Sequence, residues 1–302
     1  MELIGKTKID FIGMRKISFI ISTIIALIGI AGVIQVARSA ANMGIDFTGG
    51  TVVQLKFAKP VHIDQARGAL AKHNLKEANL QEIKDGNKLL IKIGKTSLAI
   101  GKVADTIEEV FKKEFPGNTF VMESSTELGP SVGDKLRKDT LIAVAISLLG
   151  IIIYIAWRFD FKFGVGAIVA TLHDVLAMFA VFFLFNKEIN LLFITAVLTV
   201  AGYSLTDTVV VFDRIRENLH KNLKEALPVV FNKSINEVLS RTIVTSLTTF
   251  LAATSLFLFG GEVIHDFALA LIVGVVVGTY SSVFVASPIV VLMENRAFES
   301  KA

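Results

Sequence analysis

Apolar residues in this chain come in long uninterrupted blocks. A helix needs about 20 such residues to cross about 30 Å of hydrocarbon. Six segments meet that length: residues 17–37, 139–157, 163–185, 189–212, 240–259 and 265–292. The one long polar stretch is 38–138, and its periodicity is different. Residues 51–57 alternate and are rich in β-branched side chains, which predicts a strand. Residues 63–73 have helical spacing after Pro60. Residues 80–84 and 88–93 flank Asp85-Gly86-Asn87, a tight-turn signal for a hairpin. Residues 98–115 repeat apolar positions at Val103, Ile107, Val110 and Phe111, a second helix stopped by Pro116-Gly117. Residues 119–123 supply a fourth strand. The order β-α-β-β-α-β is the ferredoxin-like pattern, and about 100 residues suffice for a small two-layer core. The expected fold class is a polytopic α-helical membrane protein with six transmembrane helices and one α+β ferredoxin-like domain.

Composition agrees with spans rather than a soluble core. Hydrophobic residues make up 53% and charged residues 19% of the 302, against about 45–50% and about 25% in a soluble domain. The net charge of +4 is too mild to argue for nucleic acid. Its placement says more, because Lys and Arg in short loops set orientation. Arg158 and Lys162 lie between the second and third spans. Arg214, Arg216, Lys221, Lys224 and Lys233 lie between the fourth and fifth, and Arg296 and Lys301 follow the sixth. The opposite loops offer only Lys187. Residues 1–16, the loop 213–239 and residues 293–302 are therefore assigned to the cytoplasm, and 38–138 to the outside. The loop 213–239 is expected to carry a short interfacial helix, with Val229, Val230, Ile235, Val238 and Leu239 on it and Pro228 interrupting the segment. Lys6, Lys8, Arg15 and Lys16 ahead of the first block suggest a signal peptide. The apolar run is too long for one, since a signal core is about 7–15 residues, so an uncleaved first helix is expected. Without cysteine there is no disulfide framework and no cysteine metal site.

Charged residues inside spans are costly and usually face a bundle interior or a wet cavity. Asp207 is the strongest case, with apolar residues on both sides and a small polar patch around it: Tyr203, Ser204, Thr206 and Thr208. It reads either as a functional acid or as a fixed salt-bridge member. Arg241, near the start of the fifth span, either snorkels to the interface or lies level with Asp207 and pairs with it. His173 and Asp174 sit near mid-membrane in the third span. Adjacent helix positions diverge by about 100°, so the expectation is that they do not share one neighbour, one facing the bundle and the other a cavity. They form a packed, hydrogen-bonded pair or a proton relay. No second helical histidine stands at ligand spacing, so no metal is expected. Gly274-x-x-x-Gly278 is a close-packing motif. The segment with Gly44, Asp46, Gly49 and Gly50 reads as a structured turn. It is no phosphate loop, since no Gly-Lys-Ser/Thr follows and no helix opens there. No nucleophile–base pair or metal set points to an enzyme.

Several blocks together resemble the SecF family of the SecD/SecF group, part of the RND superfamily. They are GIDFTGGT at 44–51, LGPSVGDKL at 128–136, RFDFKFG at 158–164, HDV at 173–175, AGYSLTDTVVVFDRIREN at 201–218, SRTIVTSLTTFLAA at 240–253 and GTYSSVFVASP at 278–288. They occur in family order, from residue 44 to near the end. The resemblance implies an RND-type half of six helices in the bacterial inner membrane, with a periplasmic domain at 38–138. It implies SecD as partner, the SecYEG translocon beyond it, and a translocating unfolded polypeptide as cargo. The implied mechanism is export coupled to the proton-motive force, with protons as the coupling ion, no other cofactor, and Asp207 and Arg241 as the membrane aspartate and arginine of proton translocation. The family usually places Asn before this aspartate, where this chain has Thr206. Threonine still donates and accepts hydrogen bonds. Two other readings stand beside this one: a small-molecule RND-type transporter subunit, and a non-transporting translocon scaffold.

Overall fold

The computed structural model describes residues 7–38, 41–73, 75, 78–83, 87–94, 102–221 and 225–299. The chain divides into two compact units, Met43–Ile142 and a helical unit of Met1–Asn42 with Ala143–Ala302.

The α+β unit has the predicted order. After a helical turn, α2 (Ile45–Thr48), come β1 (Gly50–Phe57), α3 (Ile63–Lys72), β2 (Asn79–Ile83), β3 (Lys88–Ile93), α4 (Val103–Glu114) and β4 (Phe120–Leu128). The sheet order is β2-β3-β1-β4, antiparallel throughout. Each βαβ crossover thus skips one strand, as the ferredoxin-like pattern requires. Alternation does the sorting. Thr51, Val53, Leu55 and Phe57 of β1 and Leu89 and Ile91 of β3 point to the helices and are buried. The α4 positions Val103, Ile107, Val110 and Phe111 close the core with Ala66, Ala69 and Leu70 of α3. The rings of Phe57 and Phe111 lie 5.6 Å apart. Lys84 of the expected strand, Asp85 and Gly86 of the expected hairpin turn, and residues 98–101 of the expected second helix lie outside the described residues. Asn87 has φ 55°, as a tight turn allows. β4 runs five residues beyond the expected 123, because residues 124–128 pair with β1 across a bulge at Gln54/Leu55 without any apolar alternation to announce them. Surface carboxylates are drawn below the ordinary glutamate value by lysines. Glu123 is held chiefly by the Lys88 hydrogen bond and Glu114 chiefly by that of Lys72. That stabilisation is present above the unfolded pKa and lost as pH falls through the lowered folded one.

Two of the quoted sequence blocks meet in this unit. Gly44 caps α2, which supplies the helical turn that the glycine-rich segment did not announce, ahead of the glycines and not after them. Gly49 (φ 71°) and Gly50 (φ 139°) then reverse the chain into β1. A Cβ on Gly49 would sit 2.9 Å from the Pro130 Cα, and one on Gly133 would sit 2.8 Å from the Gly49 N. The paired glycines therefore lie against the first turn of α5 (Pro130–Arg158). That helix begins well before the expected 139, because its first turns are polar and fall outside any hydropathy criterion. Proline fits a first helical turn, where its missing N–H is not needed.

The helical unit is built from α1 (Arg15–Ala37), the rest of α5, α6 (Phe161–Leu184), α7 (Leu191–Lys221), α8 (Leu227–Phe259), α9 (Glu262–Ser281), a π-helical turn (Ser282–Ala286) and α10 (Ser287–Glu299). Among the described residues, six stretches are long and apolar enough to cross a membrane. α6, α7 and α9 form the middle, whereas α1, α5 and α8 present long apolar faces outward, Ile17, Ile146 and Leu251 among them. α1 approaches α6 through glycine: a Cβ on Gly29 would strike the Leu176 carbonyl, and one on Gly32 would lie 3.1 Å from that of Phe179. Residues 7–14 before α1 are pinned to α8. Asn236 Oδ1 accepts from the Ile9 N–H at 3.0 Å, Asn232 Oδ1 accepts from the Ile12 N–H at 3.0 Å, and Phe11 and Ile12 are buried.

The expectation for 213–239 is corrected. α7 and α8 have 31 and 33 residues, about 46–50 Å at about 1.5 Å per residue, so both continue past a bilayer. Pro228 opens α8 in its first turn instead of interrupting a separate helix. Polar hydrogen bonds between the extensions hold them together: Arg214 Nε donates to Glu237 at 2.6 Å and Asn218 Nδ2 to Ser234 at 3.0 Å. The π turn has a local cause. Pro288 lacks the N–H that would bond residue 284 and its ring crowds that carbonyl, so the preceding turn widens. The Ser287 hydroxyl donates to the Ser282 carbonyl at 3.1 Å.

Gly49→Ala should lower the thermal unfolding midpoint of the purified chain, with a cost of roughly 1–2 kcal/mol or more from positive φ alone. Gly68→Ala, on open α3 surface, should raise stability by roughly 0.5–1 kcal/mol. Circular dichroism melts of both variants in detergent check the opposite signs.

Candidate functional site

The polar side chains of the middle helices collect around two carboxylates. Asp174, on α6, is fully buried and acts as an acceptor on every side. Ser281 Oγ donates to its Oδ2 at 2.8 Å, Ser204 Oγ of α7 donates to the same oxygen, and His173 Nδ1 lies 3.2 Å from Oδ1. The His173 Nε2 is buried without a partner among the described residues, and its ring lies 6.1 Å from that of Tyr280. The expectation that these neighbours face different surroundings is corrected. Both are buried and both meet α9, His173 at Tyr280 and Asp174 at Ser281. Successive residues on α9 diverge just as those on α6 do, so a broad α6–α9 seam takes both.

Asp207, on α7, is half-buried. Among the described residues its one hydrogen bond comes from Ser282 Oγ, at 3.0 Å, on the first residue of the π turn. α8 brings up Arg241 and Thr242. Thr242 is buried, and its hydroxyl acts on the same carboxylate from just beyond hydrogen-bond length, with no closer partner among the described residues, while Arg241 is exposed. No Asp207–Arg241 ion pair within 4.0 Å forms among the described residues, although the two are near enough for the guanidinium to act on the carboxylate. Tyr203 Oη donates to Ser246 on α8 at 3.3 Å, and Thr279 Oγ1 donates to the same hydroxyl at 2.6 Å. Thr208 is buried. Thr206 points outward and donates to its own helix at the Gly202 carbonyl, 3.0 Å away. It does not touch Asp207. Gly44, Asp46, Gly49 and Gly50 belong to the α+β unit.

Why these elements meet is visible in small residues. Gly274 and Gly278 lie against α7: a Cβ on Gly274 would strike the Val200 side chain, and one on Gly278 would lie 3.0 Å from the Ser204 Cβ. The Gly-x-x-x-Gly motif therefore serves a contact inside this chain. It brings Ser204 and Ser281 to the same carboxylate. Sequence reading missed Ser246, Thr242, Thr279, Tyr280, Ser281 and Ser282 as site residues. Their signal was present, since Thr279-Tyr280-Ser281-Ser282 are four consecutive hydroxyl residues in an apolar span.

Comparison with known proteins places this arrangement. The chain matches the family described as protein export membrane protein SecD/SecF, C-terminal, over residues 106–296, and the SecD/SecF GG motif over residues 41–61. It is 52% identical to the protein translocase subunit SecF of Thermodesulfovibrio yellowstonii, covering 98% of both chains. It is 40% identical to that of Calditerrivibrio nitroreducens, covering 98% of this chain and 97% of the relative. Among solved structures it resembles SecDF from Thermus thermophilus, a translocon-associated membrane protein, at TM-score 0.85 and 35% identity over 96% of this chain. It also resembles SecDF in a super-membrane-facing form, at TM-score 0.71 and 34% identity over the whole chain. It spans 39% and 40% of those two chains.

Gly278→Ala should push Ser204 off Asp174 and destabilise the helical unit by roughly 1–3 kcal/mol, the scale of a hydrogen bond to a charged group. Gly202→Ala meets open space and should leave the melt unchanged or slightly raised. Thermal melts of the isolated chain in detergent compare the two.

Proposed function

We propose, from the fact that the chain belongs to the SecD/SecF family of protein export membrane proteins, that it works as a SecF-like subunit driving export with protons carried by Asp207. The observation that carries this reading is the state of that carboxylate. It is half-buried in a membrane-spanning helix, held by one serine hydroxyl, and not locked in an ion pair. An acid fixed in a salt bridge would have its cation at contact distance. One that must gain and lose a proton is held loosely and has a cation in reach, which is the position of Arg241. One proton moving through about 100 mV supplies about 2.3 kcal/mol, and it can do work only where it changes a charge that biases two arrangements.

The partner in this reading is SecD, with six matching helices. Support comes from the outward faces of α7 and α8. Thr195, Thr199, Gly202 and Thr206 form one exposed stripe, and Arg241, Thr245, Thr248, Ala252 and Ser255 form another. Small and hydroxyl residues at helical spacing suit helix–helix contact in a bilayer. They gain little against lipid. Thr206 lies in this stripe, so the position where the family has Asn addresses the partner. Both termini and the extensions of α7 and α8 are cytoplasmic in this reading. The α+β unit is periplasmic, where it meets the unfolded polypeptide leaving SecYEG.

Asp207→Asn should abolish the export stimulation by the complex in energised membrane vesicles while leaving co-purification with SecD intact. Undiminished export would leave the scaffold reading in its place. Gly202→Leu should weaken co-purification with SecD several-fold without lowering the melting point of the isolated chain.

A further inference from the structure

The two carboxylates are not independent. Asp174 accepts from Ser281 and Asp207 accepts from Ser282, so adjacent residues at the junction of α9 and the π turn each serve a different acid. On the other side, Asp174 also accepts from Ser204, three residues before Asp207 on α7. Asp174 therefore holds both partners of the Ser282–Asp207 contact: the donor's segment through Ser281 and the acceptor's helix through Ser204. Asp174, Ser281 and Ser282 are fully buried, so these bonds are shielded from bulk solvent.

Each serine also has a second acceptor. Ser281 Oγ lies 3.2 Å from the Gly278 carbonyl and 2.8 Å from Asp174. Ser282 Oγ lies 3.0 Å from the Thr279 carbonyl and 3.0 Å from Asp207. A hydroxyl has one proton to give. An ionised carboxylate is the stronger acceptor, so it draws the proton to itself. A neutral carboxyl leaves that proton to the helix carbonyl. The choice is made where the backbone is already π-helical, a form found often at functional sites.

We propose that Asp174 is a positioning residue for Asp207, acting through the Ser281–Ser282 pair and Ser204, so that the hydrogen bond received by Asp207 depends on the bonds made by Asp174. The inference rests on the export reading only for its consequence in export.

The test uses the full chain assembled with SecD in liposomes. Infrared spectroscopy identifies the Asp207 carboxyl band as the one lost in Asp207→Asn. Ser282→Ala removes the donor and shifts that band. Ser281→Ala and Asp174→Asn are expected to shift it in the same direction by at least half as much, and Ser281→Thr to return it to the wild-type position. A band that moves in Ser282→Ala but stays in place in both Ser281→Ala and Asp174→Asn overturns the proposal, as does a band that none of them moves. If Asp207→Asn exports normally while the band still follows Ser281, the proton-carrying reading fails and the positioning role stands.

Discussion

Burying a carboxylate in a bilayer costs several kcal/mol unless hydrogen bonds or a cation offset it. No lysine or arginine lies within ion-pair distance of Asp174 among the described residues; hydroxyls from α7 and α9 and the neighbouring imidazole take that part. The requirement shapes the middle of the helical unit. α9 must come close enough to α7 for Ser204 and Ser281 to reach one carboxylate, and Gly274 and Gly278 permit that approach. The π turn that follows then sets Ser282 toward Asp207.

Much of this fold is written in periodicity. The six spans follow from block length, and the α+β unit follows from alternation switching to helical spacing. Both are one-dimensional signals, each carried by the side chains of the element it predicts. The errors fall where that link is broken. α5 starts at Pro130 and α7 and α8 run past the bilayer because helices continue through polar sequence that no hydropathy window counts. β4 extends to Leu128 because its last residues pair through the backbone alone, at an edge with no apolar face.

The site was legible to a different degree. Asp207, Asp174 and His173 stand out because charge in an apolar run is rare, and rarity can be read from one line of text. Ser281 and Ser282 do not, since a serine is tolerated anywhere in a membrane helix by bonding back to its own carbonyls. What gives them meaning is which carboxylate lies across the helix interface, a fact of packing. The π turn shows the same limit: Pro288 announces a disturbance, but only the neighbouring helices decide that the disturbed turn faces an acid. Arg241 is a third case. Sequence leaves it either snorkelling to the interface or level with Asp207 and paired, and the structure shows it exposed beside that acid with no ion pair to it.

That separation bears on how such a site could do work. A tight Asp207–Arg241 pair would hold the acid ionised across a wide range and resist protonation, because opposite charge at contact favours the charged form. A serine hydroxyl is a weaker hold, and it does not need to leave when the acid is neutralised. It turns to the Thr279 carbonyl, already 3.0 Å away. Protonation then changes which bond is made without leaving a buried donor unsatisfied, and so avoids the largest cost that a buried polar group can incur. A hydroxyl with two acceptors at equal reach is therefore better suited than a salt bridge to a group whose charge must change many times. On the coupling proposed above, the same hydroxyl pairing on Ser281 lets the neighbouring acid register that change through one peptide unit.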